Sequence, residues 1–541
     1  MIKLAKQQIS LWGSDFEIPD NTKKILKKID EPKDIKKAIA SKKVSLDEKL
    51  LMIETEVNRI LGKYKNDTII IKTKEQLAQY IDAAIANNII AIDTETNNSL
   101  DPITCKLMGP CIYTPGQKNA YIPINHINKD TNERLDWQLT EQDIFEQFNR
   151  LGSIDNKTSM QIITHNGKFD YEVLYCTIGW KMPVTWDTMI AARLLNENEK
   201  AALKEQYRTK IDPTQEKYDI EHLFKKLEYA IIKPELFALY AATDPFITYK
   251  LYEWQLEKFK DPDLSKIYKL YTEVEMPVMF ISAQMELDGI CFDNDYCDRL
   301  KIKYNKQLAE INIELDNELK KLAPKIQAWR NTDDAQKPQA TKSNPEGKSK
   351  SEQLKDPVEL TSPTQLAILL YDILKCPVKD KKTPRGTGKE ILEALAEDYP
   401  ICKLILKQRE LLKLIDAFLE SLPEKVSSKD GRLHAHFNQL GTDTGRFSCT
   451  EPNLQQIPSH NPEIRLLFKA AVNEHVVEEH ENNFEIPYTD EVEIAANTWK
   501  LVKNLSIGDT IYTSEGFEKI IKMIENDGKY HIYTAKFIEE N

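Results

Sequence analysis

Residues 88 to 98 read Asn-Ile-Ile-Ala-Ile-Asp-Thr-Glu-Thr-Asn-Asn. An apolar run, residues 89–92, meets two carboxylates, Asp93 and Glu95. A short apolar run ending in acids predicts a buried strand whose end opens into a site. On a strand, residues i and i+2 point to one face, so Asp93 and Glu95 project together. Like charges held side by side repel, and a bound cation or a shifted pKa is the usual compensation. The motif does not decide by itself. Asp-x-Glu is common, and in isolation a solvated strand end is its commoner meaning.

Composition narrows the class. The 541 residues suffice for roughly three to four domains. A hydrophobic content of 41% allows packed cores. A net charge of −12 argues against a uniformly basic nucleic-acid binder and leaves room for a local basic groove. The eight cysteines are scattered without a Cys-x-x-Cys pair, which predicts reduced thiols and no structural zinc. No apolar run approaches the roughly 18 residues of a membrane span, and the first residues, Met-Ile-Lys-Leu-Ala-Lys, lack a signal-peptide core. These features predict a cytoplasmic protein without a membrane partner.

Residues 1–65 read as a helical N-terminal extension, with helices near 20–42 and 45–62. Ser45 with Glu48 three residues on is a capping-box pattern. Residues 66–258 read as one α/β domain. A strand at 68–71 precedes an amphipathic helix at 74–86 and the Asp93 strand. A hairpin at 108–113 and 120–124, a helix at 141–150 and a strand at 162–164 follow. This order predicts a mixed sheet flanked by helices. His165-Asn166-Gly167-Lys168-Phe169-Asp170 comes straight after the last strand, so Asp170 falls near the start of the next helix. Tyr240 and Asp244 are four apart in a helical run from 235 to 259, which puts them on one helix face. Taken singly, Asp170 reads as a helix cap and Tyr240 as core.

Asp93-Thr-Glu95, Asn166-x-x-x-Asp170 and Tyr240-x-x-x-Asp244 together resemble the three motifs of the four-carboxylate 3′–5′ exonucleases with a ribonuclease-H-like fold. The tyrosine marks the proofreading type of family A DNA polymerases and the ribonuclease D relatives. Residues 186–189, Trp-Asp-Thr-Met, resemble a turn those proteins carry between the second and third motifs. The resemblance implies two divalent metal ions, Mg2+ or Mn2+. Asp93, Glu95 and Asp244 would hold one, with Asp93 bridging to a second anchored by Asp170. Tyr240 and Glu95 would orient the attacking water, and Asn166 would support the substrate strand or position Asp170. Hard cations prefer oxygen ligands, and phosphodiester hydrolysis is chemistry that two such ions can drive.

Residues 259–471 are similar to the thumb and the start of the palm in family A polymerases. Residues 273–293 resemble the helix that opens that module, and residues 361–366, 381–383 and 409–413 resemble the thumb. A polar stretch at about 330–357 reads as a mobile loop. Lys403, Lys407, Arg409 and Lys413 could form a basic face for phosphates. The sharpest match is 434–458, which in that family grips primer-template DNA. It implies DNA contacts from Asn438, Gln439, Thr444, Arg446, Asn453 and Gln455, with Arg446 reading the minor groove near the primer end. Arg446-Phe447-Ser448-Cys449 departs mildly from the family's usual Arg-Leu-Ser-Ser.

The resemblance stops near residue 470. No Asp-x-Ser-Gln, the family's first polymerase metal motif, occurs in these residues. Residues 472–541 are acidic and then β-rich, and read as an insertion. The expectation is therefore a 3′–5′ exonuclease and primer-template-binding portion of a phage-like or bacterial family A DNA polymerase, unable to polymerise alone. Its partners would be a DNA primer-template, a single-stranded 3′ end and a second polypeptide supplying the rest of the polymerase. If phage-encoded, it would work in the bacterial host cytoplasm. Two alternatives stand beside it: a ribonuclease D-like RNA exonuclease, and a non-catalytic primer-template clamp.

Overall fold

The computed structural model describes residues 44–97, 99, 101–156, 159–214, 224, 227–341, 344–442 and 444–470, and beyond these the backbone of strands between 477 and 536. The helix expected at 20–42 lies outside the described residues. The chain divides into two compact units, residues 1–288 with 435–450, and residues 289–434 with 451–541.

The first unit is built on a six-stranded sheet. Its strands are β1 Thr68–Ile70, β2 Ile89–Thr96, β3 Leu107–Tyr113, β4 Asn119–Tyr121, β5 Gln161–Thr164 and β6 Trp186–Asp187, in the order β1-β4-β3-β2-β5-β6. The pairs β2–β3 and β3–β4 are antiparallel, while β1–β4, β2–β5 and β5–β6 are parallel. This is the mixed sheet that the pattern of apolar runs predicts. β2 lies inside it, and Ile90, Ala91 and Ile92 are fully buried. Each buried isoleucine contributes about 1.5–3 kcal/mol, which fixes the strand that carries the acids.

Helices cover the sheet: α1 Leu46–Leu61, α2 Lys74–Asn87, α3 Glu141–Phe148, α4 Gly167–Ile178, α5 Thr188–Leu195, α6 Leu203–Lys210, α7 Pro234–Ala241 and α8 Thr243–Lys258. α9 Ser265–Leu270 and α10 Met276–Asp288 follow, so the first unit runs on past residue 258. α1 begins with the expected capping box: Ser45 accepts from the Glu48 N–H and the Glu48 carboxylate accepts from the Ser45 N–H. α2 buries Leu77, Tyr80, Ile81 and Ala84 at helical spacing, and the Tyr80 hydroxyl donates to the Lys118 carbonyl at 2.8 Å. Among the described residues no helix is long and apolar enough to cross a membrane.

Two expectations need correction. The helical run from 235 to 259 is not continuous. It breaks at Ala242 into α7 and α8. Pro245 is the reason: it has no N–H to give residue 241, and proline is tolerated only in a first helical turn. Tyr240 therefore lies in the last turn of one helix and Asp244 in the first turn of the next. The 330–357 stretch is also more than a loop. It carries short helices at Asp333–Gln336 and Lys350–Gln353 and a hairpin of Pro338–Thr341 with Asn344–Ser349. Arg330, at the end of the 37-residue helix α11 Asn294–Arg330, donates to the carbonyls of Ser351, Leu354 and Lys355. Trp329, Ala335, Leu354 and Val358 join an apolar cluster that a polar composition concealed. Toward the C-terminus, Val477–Pro487, Thr510–Thr513, Gly516–Asn526 and Lys529–Lys536 form an antiparallel sheet, and Glu491–Ala495 pairs with Thr498–Leu501. Two of these strands fall where the sequence shows only acidity.

In the β2–β3 ladder, Gly109 stands opposite Glu95. A Cβ there would press into the Ile122 carbonyl and the Tyr121 ring. Gly109→Ala should cost about 1–3 kcal/mol through overpacking, read as a lower melting temperature or urea midpoint. An unchanged midpoint would mean that β3 and its neighbour are not so closely apposed.

Candidate active site

β2 delivers Asp93 and Glu95 to one side of its C-terminal end. Both are partly exposed, while Thr94 and Thr96 on the opposite side are buried. The last β2–β5 pair is Ala91 with Ile163, so the Thr94 N–H lies beyond the end of that ladder. Asp170 takes it. Its Oδ1 accepts from the Thr94 N–H at 2.9 Å and from the Thr94 hydroxyl at 2.6 Å. The carboxylate of the second motif is thus bonded to the middle residue of the first.

Asp170 stands in the first turn of α4, and the start of that helix is set by Asp187. The Asp187 carboxylate is buried and receives four backbone N–H groups: Asn166 at 3.3 Å, Gly167 at 2.6 Å, Met189 at 2.7 Å and Ile190 at 3.1 Å. It caps α5 and ties down the loop into α4 at once. Asn166 is left-handed there, with φ of 69°, and its side chain is exposed. α8 is anchored in a similar way. Gln255 is fully buried, accepts from the Trp186 indole N–H at 2.9 Å and donates to the Thr188 carbonyl at 2.8 Å.

The four acids act on one another. Burial, then the charges of Asp170, Glu95 and Asp244, push the Asp93 carboxyl well above the ordinary range, and Lys204 alone pulls the other way among its main influences. Burial likewise raises Asp170 to about 7, against the pull of its Thr94 hydrogen bonds. The Lys204 ammonium lies 3.3 Å from Asp244 Oδ2 and 4.8 Å over the Tyr240 ring. Tyr240 is itself buried against Phe224 and Phe237. Among the described residues no three His, Cys, Asp or Glu side chains stand as a ready-made ion cage. The donor set still fits a hard divalent cation: four carboxylates from three chain segments, among which burial and then the charges of the other three raise Asp93.

The expected DNA contacts divide between the two units. In the first, a hairpin of His436–Asn438 and Ser448–Thr450 leaves Asn438, Thr444 and Arg446 exposed. Gln439 needs correction. It is buried, and its amide donates to the Glu275 carbonyl at 2.9 Å and carboxylate at 2.7 Å, so it holds the hairpin to α10's approach and not DNA. In the second unit, Arg409 and Lys413 lie on the helix Pro400–Leu414. Lys413 is exposed, whereas Arg409 is half-buried and donates to the Thr387 carbonyl at 2.5 Å. Asn453 caps the turn Leu454–Gln456 by accepting from the Gln455 N–H, and both side chains face solvent.

Sequence reasoning passed over Thr94, Lys204 and the role of Asp187. Thr94 was in plain view between two acids, and Asp187 sat in a quoted motif. Lys204 belongs to a helix of the pattern Leu-Lys-Glu-Gln-Tyr-Arg-Thr-Lys, which reads as a solvated face.

Residues 68–258 match the 3'-5' exonuclease family, and residues 331–480 match DNA polymerase family A. Over these two segments the chain is similar to the exonuclease and polymerase parts of family A DNA polymerases. DNA polymerase I of Borreliella burgdorferi is 29% identical over 408 residues, 75% of this chain and 39% of that protein. DNA polymerase I of Synechocystis sp. is 32% identical over 394 residues, 71% of this chain and 34% of that one. The chain therefore spans well under half the length of these relatives. A solved structure of the polymerase domain of Pol1 from M. smegmatis, in complex with DNA primer-template and dNTP, superposes with a TM-score of 0.51 at 20% identity, covering 77% of this chain and 60% of that one. At that identity it speaks for the fold.

The buried Asp170 gives a pH signature. A carboxyl held protonated up to about 7 in the folded chain, but only up to about 3.9 when unfolded, stabilises the fold most below that lower value and loses its contribution as pH rises through 7. In EDTA, melting temperature should fall from pH 4 to pH 7 by on the order of a few degrees on account of this group. Asp170→Asn should flatten that slope, and an unaltered slope would remove the buried carboxyl from the account.

Proposed function

We propose that this chain is a metal-dependent 3′–5′ exonuclease that trims DNA ends, the proofreading part of a family A DNA polymerase. The observation that carries it is the gathering of Asp93, Glu95, Asp170 and Asp244 at the end of β2, close enough that three of them raise the fourth. In this reading Asp93, Glu95, Asp170 and Asp244 would hold the divalent cations, Mg2+ or Mn2+. Bound there, the ions would supply Lewis-acid stabilisation for charge building on the phosphate and leaving oxygens.

The residues of the chain do the rest. Glu95 accepts a hydrogen bond from the attacking water, and Tyr240 orients it through its hydroxyl. Thr94 keeps Asp170 turned toward β2. Asn166, exposed at the mouth of α4, supports the substrate strand. The Thr444 and Arg446 hairpin, packed in the same unit as these acids, contacts duplex DNA near the primer end. Arg409, Lys413, Asn453 and Gln455 add contacts from the second unit. Residues 1–541 contain no Asp-x-Ser-Gln, so nucleotide addition is not assigned to them. The reading places the protein in the cytoplasm, where replicating DNA is found.

The test uses a primer-template with a 3′ mismatch, labelled at the primer's 5′ end, with Mg2+ and dNTPs. Stepwise shortening is expected. Asp93→Ala with Glu95→Ala should lower the rate by about two to four orders of magnitude while leaving DNA binding intact. Cleavage retained in that double variant would refute the site. A strong preference for RNA would favour the ribonuclease D-like reading, and binding without cleavage the clamp.

A further inference from the structure

Lys204 lies in none of the motifs that define the site, yet it is the basic side chain that meets the site. α6 carries two more basic residues near it, and both are engaged elsewhere: Arg208 with Glu205 at 2.6 Å, and Lys210 with Glu199 at 2.6 Å and with the Trp254 ring. Lys204 alone of the three turns to Asp244 and Tyr240, and its side chain is recessed, 28% exposed.

The break at Ala242 gives this contact a purpose. Tyr240 lies in the last turn of α7 and Asp244 in the first turn of α8, and the hydrogen-bond ladder between the two helices is interrupted where Pro245 has no N–H for the Ala241 carbonyl. A continuous helix would fix the spacing of a tyrosine and an acid four residues apart. Here the ladder is weaker by that bond, and a cation touching both side chains spans the interruption. An ammonium over an aromatic face and beside a carboxylate is attracted by both. The same ammonium seeks the oxygen that a divalent cation would need.

We propose that Lys204 is a positioning residue of the exonuclease site, holding Tyr240 and Asp244 in register across the helix break and competing with the divalent cation for Asp244. The proposal rests on the function proposed above. Two opposed effects follow from removing it. The cation binds more tightly, because a rival charge is gone. Turnover at saturating metal falls, because the tyrosine and the acid lose their shared tether.

The full chain, with Lys204→Met, Lys204→Arg and Lys210→Met, can be titrated with Mn2+ by electron paramagnetic resonance and assayed for single-turnover excision of single-stranded DNA. Lys204→Met should tighten Mn2+ binding severalfold and lower the rate at saturating Mn2+ by roughly tenfold to a hundredfold, with little change in KM for DNA. Lys204→Arg should recover most of the rate, and Lys210→Met should leave both readings as in the parent. A Lys204→Met protein that keeps its rate, or that loses metal affinity in step with rate, overturns the proposal. If the parent neither cleaves DNA nor loses Mn2+ affinity on Asp93→Ala with Glu95→Ala, the site itself is wrong and the proposal falls with it. If the parent passes and Lys204→Met matches it, the tether alone is refuted.

Discussion

Mutual repulsion among four carboxylates is the constraint around which the first unit is built. Gathering them at the end of one strand costs free energy, which shows at Asp93, where burial and then the charges of the other three raise the proton affinity. Such a cluster survives only where the surrounding structure is rigid enough to hold it. The rigidity comes from β2, whose apolar residues are sealed inside the sheet, and from helices that bring the other acids by separate routes.

Those routes meet at two buried polar side chains. Asp187 gathers four N–H groups and so fixes where α4 starts, and with it Asp170. Gln255 bonds both Trp186 and Thr188, so α8, which carries Asp244 in its first turn, is tied to the same turn. The Asp187 N–H in turn donates to the Tyr271 hydroxyl at 2.8 Å. A half-satisfied polar group at this depth would cost more than an apolar one, whereas a fully satisfied one specifies a single arrangement. The turn between the second and third motifs is thus the part of the molecule that fixes their spacing.

Much of this was legible in the sequence because it was periodic or local. The run 89–92 gave β2, the Ser45 and Glu48 pair gave a helix start, and the three spaced motifs gave the acids. What was not legible depended on partners distant along the chain. Nothing near Thr94 reveals that its hydroxyl meets Asp170, 76 residues on. Gln439 looks like a DNA-reading amide until Glu275, 164 residues away, occupies it. The break in the third motif was readable, since Pro245 follows Asp244 directly, but helical spacing masked it. Along 330–357, charged residues hide the few apolar ones that pack, and Arg330 organises the stretch by bonding backbone that no side-chain pattern records.

The same logic explains why a hairpin from residues 435–450 belongs with acids some 200 to 350 residues earlier. Glu286 on α10 is buried, and it accepts from the Phe437 N–H at 2.5 Å, meets His436 at 3.2 Å and pairs with Lys168 of α4. Burial would raise its carboxyl, but His436, Lys168 and the Phe437 N–H outweigh it and hold Glu286 below its ordinary range. Neighbouring Glu172, also on α4, is pushed the other way by burial and by the Glu286 charge. Lys168 also donates to the Phe437 carbonyl, so one side chain of the second motif grips both the acid and the hairpin backbone. Apolar packing tolerates sliding; a carboxylate ringed by donors of fixed direction does not. The hairpin bearing Thr444 and Arg446 is therefore held to α4 in one register by Lys168, two residues before Asp170, both directly and through Glu286.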